Sequence, residues 1–410
     1  MALPGVAGKP IRGELRVTMG RNDEQDRGSV PEIQSGILRL VEWIIGTASR
    51  ERPADALLRT ELRAQHELSR KEAAQASKAV FAYFRWRGWL ESGRLIREQI
   101  EDALDLAKRY AKRPDSFSDA DLMARAVPGW LATAMDPTPA WVRVLQSEPR
   151  LWLRARPGQG RAVARKLGHC RASGEGPMAD TLEYLGRSDL FRTTEFHAGE
   201  FELQDISSQV VGLICNPRPG EKWWDACAGE GGKTLHLAAL MENQGSIWAS
   251  DRASWRLANL KRRAARAGVF NYRAVAWDGG PRLPTKTPFD GVLMDAPCTG
   301  IGTWQRNPHA RWTTTTEDVK ELSEVQTQLL LNAAAGVKPG GRLVYAACTL
   351  TRSETLEVVK SFEERSPQFQ RLAVHNPLVP GSPPRELLLL WPQETGGNGM
   401  FLAAWTRGSH

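Results

Sequence analysis

Cysteine is scarce in this chain: five residues among 410, an odd number with no Cys-x-x-Cys pair. That usage excludes a secreted disulfide framework and a structural zinc site, so a reducing cytoplasm is the expected setting and no metal is expected. Long apolar runs are missing as well. No stretch approaches the ~20 residues of a membrane span, and the opening MALPGVAGKPIRGELRV lacks the apolar core of a signal peptide. A cytoplasmic protein without membrane attachment is the expectation. No internal repeat is present. Charge of one sign does not dominate: 55 Lys and Arg face 47 Asp and Glu, a surplus of +8 that points toward a polyanionic partner without deciding it. What remains is ordinary globular composition, 41% hydrophobic and 25% charged, which excludes a disordered or fibrous chain. At about 150 residues per domain this length holds two or three domains.

Residues 1–32 mix Gly, Pro and charge without apolar periodicity and read as a mobile N-terminal arm. From there to residue 135 the pattern is helical. Ile37, Leu40, Val41, Ile44 and Ile45 form one stripe, Ser69 with Glu72 makes a capping box, and Ser118 can cap a later helix. Residues 136–200 read as a small α+β domain. Within it, residues 143–171 carry eight Arg or Lys against the single acid Glu148. Residues 201–407 alternate strand and helix, the order of a doubly wound, mostly parallel sheet. Leu387–Leu390 and Phe401–Trp405, with no helix read between them, would pair antiparallel at its edge.

The chemistry is concentrated at the strand ends. A first strand runs into Cys227, Ala228, Gly229, Glu230, Gly231, Gly232, Lys233 and Thr234, then a helix. Such glycines let backbone amides approach a ligand at a helix N-terminus. A P-loop would need glycine where Cys227 stands, so nucleoside triphosphate binding loses its support. Asp251 ends the next strand at the distance where an acid accepts hydrogen bonds from ribose hydroxyls, and Asp278 and Asp295 end the two after it. A lone Asp at such a position is ordinarily a turn or cap residue. Four in succession, counting Asp225, point to a ligand crevice. Cys298 and Cys348 also follow strands of this sheet and should converge there, where a thiolate can act as a nucleophile.

Together these pieces resemble the RsmB/NOP2/NSUN family of S-adenosylmethionine-dependent RNA cytosine-5 methyltransferases. The match runs from Gln204-Asp205-Ile206-Ser207-Ser208-Gln209 through the glycine loop, Asp251 with Arg256, Asp278, and Asp295-Ala296-Pro297-Cys298. It continues through Arg306-Asn307-Pro308, Arg311-Trp312, Lys338-Pro339-Gly340-Gly341 and Cys348 to Asn398-Gly399-Met400-Phe401. Three departures stand out: Gly229-Glu230 replaces the usual Ala-Pro, Ala347-Cys348-Thr349 the usual Thr-Cys-Ser, and Gln305 the first Arg of Arg-Arg-Asn-Pro. Val80 to Leu90 is similar to the end of the NusB-like helical domain of the RsmB branch.

The resemblance implies a NusB-like RNA-binding domain, a small RNA-binding α+β domain and a Rossmann-like class I methyltransferase domain in a monomer. C5 of cytosine is too weak a nucleophile to attack a sulfonium methyl, so a thiolate must first add at C6. In the family that nucleophile is the later cysteine, here Cys348, while Cys298 assists product release and Asp295 bonds the cytosine N3 edge. The resemblance assigns the cofactor to residues 227–233, Asp251, Arg256, Asp278 and Asp295, with Glu230 either meeting its ammonium or facing water. Arg154, Arg156, Arg165, Lys166, Arg306 and Arg311 are candidates for RNA phosphates, and Trp304 and Trp312 for base contact. The helical domain favours small-subunit ribosomal RNA. A tRNA enzyme, or an inactive ribosome-assembly factor, are the alternatives.

Overall fold

The computed structural model describes residues 35–65 and 68–409, so the arm expected at 1–32 lies outside it. The helical part opens with Ser35–Thr47, Ala54–Ala64, Arg70–Trp86, Ile96–Lys112 and Asp119–Arg125. Ser69 and Glu72 form the capping box that the spacing predicts, and the Ser118 hydroxyl caps the Asp119–Arg125 helix. Ile37, Val41 and Ile44 bury against Val80, Phe84 and Ile100. The helical body runs past the predicted limit at 135. Helix Pro139–Leu145 sends Trp141, Val142 and Leu145 into the core that holds Trp86, Tyr110 and Phe117. Ile301, Trp304, Val319 and Leu350 from the C-terminal half enter that same core, so the two parts share one apolar interior.

A four-stranded antiparallel sheet follows: β1 (Leu151–Ala155), β2 (Cys170–Ala172), β3 (Thr181–Tyr184) and β4 (Phe201–Leu203), in the order β2-β3-β1-β4. Here too the expected boundary shifts. Phe201–Leu203, expected in the catalytic domain, pairs with β1 and closes the small sheet. Long-range pairing outweighs position in the chain.

The large sheet contains β5 (Lys222–Asp225), β6 (Ser246–Asp251), β7 (Tyr272–Ala276), β8 (Phe289–Asp295) and β9 (Val337–Ala347), all parallel. Beyond β9 lie β10 (Phe369–Arg371), β11 (Leu387–Leu390) and β12 (Met400–Arg407). β12 runs antiparallel to β9 and pairs with both β10 and β11. The β11–β12 pair is the one the pattern predicts, although a short helix, Pro392–Thr395, does stand between the two strands. Val292, Leu293 and Met294 of β8 are fully buried, as strands covered on both faces require. Gly291 lies so close to the Trp223 ring that a Cβ would stand 2.3 Å from it. The order β9-β8-β5-β6-β7 reverses direction between β5 and β8. In open α/β sheets a ligand crevice forms outside the strand ends at such a switch point.

Candidate active site

A cavity of about 500 Å³ opens at that switch point. Its floor is the loop after β5, where Gly229 and Gly231 take positive φ of 55° and 85° and turn the chain into helix Gly232–Leu240. Asp251, at the end of β6, accepts from the Gly229 amide at 3.0 Å and the Ala253 amide at 2.8 Å, and faces Arg256 at 3.6 Å. Asp278 is exposed beyond β7 and, among the described residues, holds only the Gly280 amide. Leu322, Val325 and Leu329, on helix Thr316–Ala334, form an apolar wall opposite the loop. Asp225 lies beneath the floor, fully buried. Thr234 donates to its Oδ2 at 2.7 Å while Oδ1 has no partner among the described residues, and burial pushes the carboxyl up to about 7.

The cavity ends on two thiols. Cys298 and Cys348 come from loops after β8 and β9, and their Sγ atoms approach to 3.1 Å. The hydrogen bond with Cys348, together with burial, holds the Cys298 thiol well above its usual range. Beside them Lys233 Nζ donates to Asp295 Oδ2 at 2.5 Å. Burial works against the Lys233 charge, yet the Asp295 carboxylate outweighs it and the ammonium is held above its usual range. Backbone contacts lock the cysteine loops: the Gly302 amide donates to Cys348 O at 3.0 Å, and the Gly399 amide to Gly302 O at 2.8 Å. A Cβ on Gly302 would come within 2.2 Å of Gly399 O, so these strands of chain can meet only without side chains.

The family model for 16S rRNA methyltransferase RsmB/F matches residues 212–406, a span that holds this loop, the acids and both thiols. The Mycobacterium tuberculosis (strain H37Rv) protein Rv1407, which carries a methyltransferase name, is 33% identical over 312 residues, 72% of this chain and 67% of its own. The chain belongs to the RsmB/NOP2/NSUN family. The Probable ribosomal RNA small subunit methyltransferase B of Bacillus subtilis is 35% identical over 198 residues, 48% of this chain and 44% of that protein. The chain thus matches less than half the length of that relative. The crystal structure of PH0851 shares the fold, with a TM-score of 0.73 at 22% identity over 92% of this chain and 99% of the other.

S-adenosylmethionine is the cofactor of the RsmB/NOP2/NSUN family, and the residues present fit it. Cys227, Ala228, Gly229 and Glu230 line the cavity, as do Asp251, Arg256, Asp278 and Asp295. Gly231, Gly232 and Lys233 do not; the glycines shape the turn, and the lysine reaches away to Asp295. Glu230 is exposed and accepts from Asn259. A second cavity of about 550 Å³ lies off the strand ends, between the small sheet and the β10–β11 connection. There Glu175, Glu183 and Glu394 outnumber Arg150 and Arg171, so its charge is unsuited to phosphate.

The predicted RNA contacts divide sharply. Arg311 is fully buried and donates to the carbonyls of Ala126 at 2.8 Å and Leu145 at 3.1 Å, joining the helical part to the loop after Cys298. Burial lowers its guanidinium to about 9. Arg154 is buried as well, donates to Gln204 Oε1 at 2.6 Å, and is lowered by burial to about 10. Neither is available to RNA. Both expectations fail for one reason: five donors suit arginine to capping buried carbonyls and amides. Arg156 caps the Gly199 and Ala198 carbonyls, and Lys166 pairs with Glu200 at 2.6 Å. Arg165 is exposed, and Arg306 keeps 46% of its side chain accessible while bonded to Asp205. Trp304 is fully buried among Trp130 and Trp141, and the Trp312 indole donates to Phe84 O, so both belong to the domain junction.

The Gln204–Gln209 segment belongs to the family match, yet nothing in the sequence marks its role. Gln204 Nε2 reaches Gly232 O, Asp205 accepts from the Asn398 amide and Arg306, and Gln209 binds Thr181 and Leu153 O. These residues tie the small sheet, the cofactor loop and the C-terminal strand together. Leu322, Val325 and Leu329 were also missed; their i, i+3, i+7 spacing marks one helix face, but only the structure shows that this face borders the cavity.

Proposed function

We propose that this chain methylates C5 of a cytosine in RNA, with small-subunit ribosomal RNA as substrate. The observation that carries the reading is the pair of thiols 3.1 Å apart at the end of a cavity that fits the cofactor. Gly229, Asp251 and Asp278 would hold the nucleoside part of S-adenosylmethionine, with Leu322, Val325 and Leu329 against the adenine. Bound there, it supplies an electrophilic methyl group. Cys348 adds to C6 of a cytosine turned out of its stack, Asp295 meets the N3 edge, and the Lys233 ammonium paired with Asp295 offsets the negative charge that develops there. Addition makes C5 nucleophilic. After methyl transfer a base takes the C5 proton, the freed electron pair restores the C5–C6 double bond as the Cys348–C6 bond breaks and the thiolate departs, and Cys298 assists that release. The helical part is read as NusB-like and, with the small sheet, as RNA-binding. Exposed Arg165 and Arg306 are the remaining arginine candidates for phosphate contact.

The test uses labelled S-adenosylmethionine and RNA from cells deleted for the gene, with bisulfite sequencing to locate the base. Cys348→Ala should abolish methylation, and Cys298→Ala should accumulate a covalent RNA adduct that survives denaturing gels. Full activity in Cys348→Ala would overturn the assignment. Label appearing only in tRNA would move the substrate, and no label in any RNA would favour an inactive assembly factor.

A further inference from the structure

Behind the two thiols lies a carboxylate that the reaction as written does not use. Glu354 is fully buried on a single π-helical turn, Ser353–Glu357, just past β9. Such turns push one residue out of the ordinary helical register and recur at functional sites. Among the described residues no Lys or Arg pairs with Glu354; five neutral donors surround it instead. Oε1 accepts from the Thr299 amide at 2.8 Å and Gln326 Nε2 at 3.1 Å. Oε2 accepts from the hydroxyls of Thr299 at 2.6 Å, Thr349 at 2.8 Å and Thr351 at 2.9 Å.

The identity of these donors is informative. Thr299 follows Cys298 and Thr349 follows Cys348, so one carboxylate grips the residue next to each thiol. Gln326 extends the grip by donating also to Pro297 O at 2.8 Å, on the other side of Cys298. The Tyr345 hydroxyl fixes the turn from below through Glu354 O at 2.7 Å. A buried carboxylate without a cation is costly unless every lone pair is used, and here five donors use them.

We infer that Glu354 is a positioning residue that sets the separation of the two thiols, clamping the loops after β8 and β9 through Thr299 and Thr349. The inference rests on the proposed roles of Cys298 and Cys348, but its geometric part can be read without RNA.

The first experiment measures disulfide formation in the full chain. Diamide takes two electrons and two protons from a close thiol pair, and mass spectrometry of the Cys298–Cys348 peptide gives the rate. The wild-type pair should oxidise readily, whereas Glu354→Ala should slow the reaction about tenfold as the loops separate. The second arm measures single-turnover methylation. Misplacement by about 1 Å should lower the rate roughly 100-fold, with the cofactor Kd within about twofold of wild type. Wild-type rates in both arms for a folded Glu354→Ala would overturn the clamp. Should that variant fail to fold, Glu354→Gln decides: its amide keeps Oε1 but must donate where Oε2 accepted, and an unchanged disulfide rate would then refute the inference. Should wild-type RNA methylation itself be absent, the functional reading fails while the disulfide arm still judges the clamp.

Discussion

The two halves of the crevice are built by different means. In the cofactor half, Gly229, Asp251 and Asp278 stand within four residues of the ends of β5, β6 and β7, and the two acids accept from backbone amides there. In the cysteine half, Cys298 and Cys348 come from loops fifty positions apart. Those loops are held by Glu354, by the Gly302–Gly399 contact and by Arg311 from beneath. The cofactor half is a local construction that parallel strands supply almost automatically. The cysteine half depends on residues from the helical part and the C-terminal strand, and should be far more sensitive to distant substitutions.

The largest effect should come from breaking that distant support. Arg311→Met removes a guanidinium and leaves the Ala126 and Leu145 carbonyls buried without donors, at about 1–3 kcal/mol each. A loss of about 4 kcal/mol in unfolding free energy is expected, read as a lower urea midpoint. Methylation should fall more steeply than cofactor binding in the protein that remains folded. Equal losses in both would mean that the two halves are not separable.

The cofactor half has its own weak point at Asp225. Its folded pKa, about 7, lies above the ordinary 3.8 because burial penalises the charge. A raised carboxyl pKa contributes stability that is complete below pH 3.8 and is lost as pH rises through about 7. Wild type should therefore lose up to about 4 kcal/mol across that window through this group, while Asp225→Asn should not. Thermal melts of both proteins from pH 4 to 8 check the sign: the advantage of the variant should grow with pH and then level off. An advantage that shrinks toward alkaline pH would show that Asp225 is ionised and stabilising.

This contrast also explains what the sequence could reveal. Helix Ser254–Ala267 is legible because its apolar spacing and the left-handed Gly268 that caps it are local signals. The glycine loop and strand-end acids are legible for the same reason. Glu354 was not, since Thr299 and Gln326 reach it from far along the chain and the nearby Thr349 and Thr351 do not by themselves mark it as buried. Arg154, in the basic run, and Arg311, in the Arg311-Trp312 motif, misled because an arginine looks the same in sequence whether its guanidinium faces water or caps buried oxygens. The boundary at 200 failed because Phe201–Leu203 is claimed by β1, a pairing that local pattern does not encode. Local construction is readable, and long-range support is not.

The finest test lies within the cofactor half, between Asp251 and Asp278. Asp251 is buried, orders two amides and faces Arg256, so Asp251→Ala removes the proposed ribose acceptor and also loosens the loop at Gly229. A charged hydrogen bond of this kind is worth about 1.5–3 kcal/mol, or roughly a 10- to 100-fold rise in cofactor Kd by calorimetry. Asp278 is exposed and, among the described residues, binds only the Gly280 amide, so water competes for the adenine contact proposed for it. Asp278→Ala should raise Kd by only about three- to fivefold, close to 1 kcal/mol, with stability unchanged. A loss at Asp278 as large as that at Asp251 would mean that ligand binding closes the cavity over β7 and buries that carboxylate. The order of the two effects therefore reports whether the cofactor half is preformed.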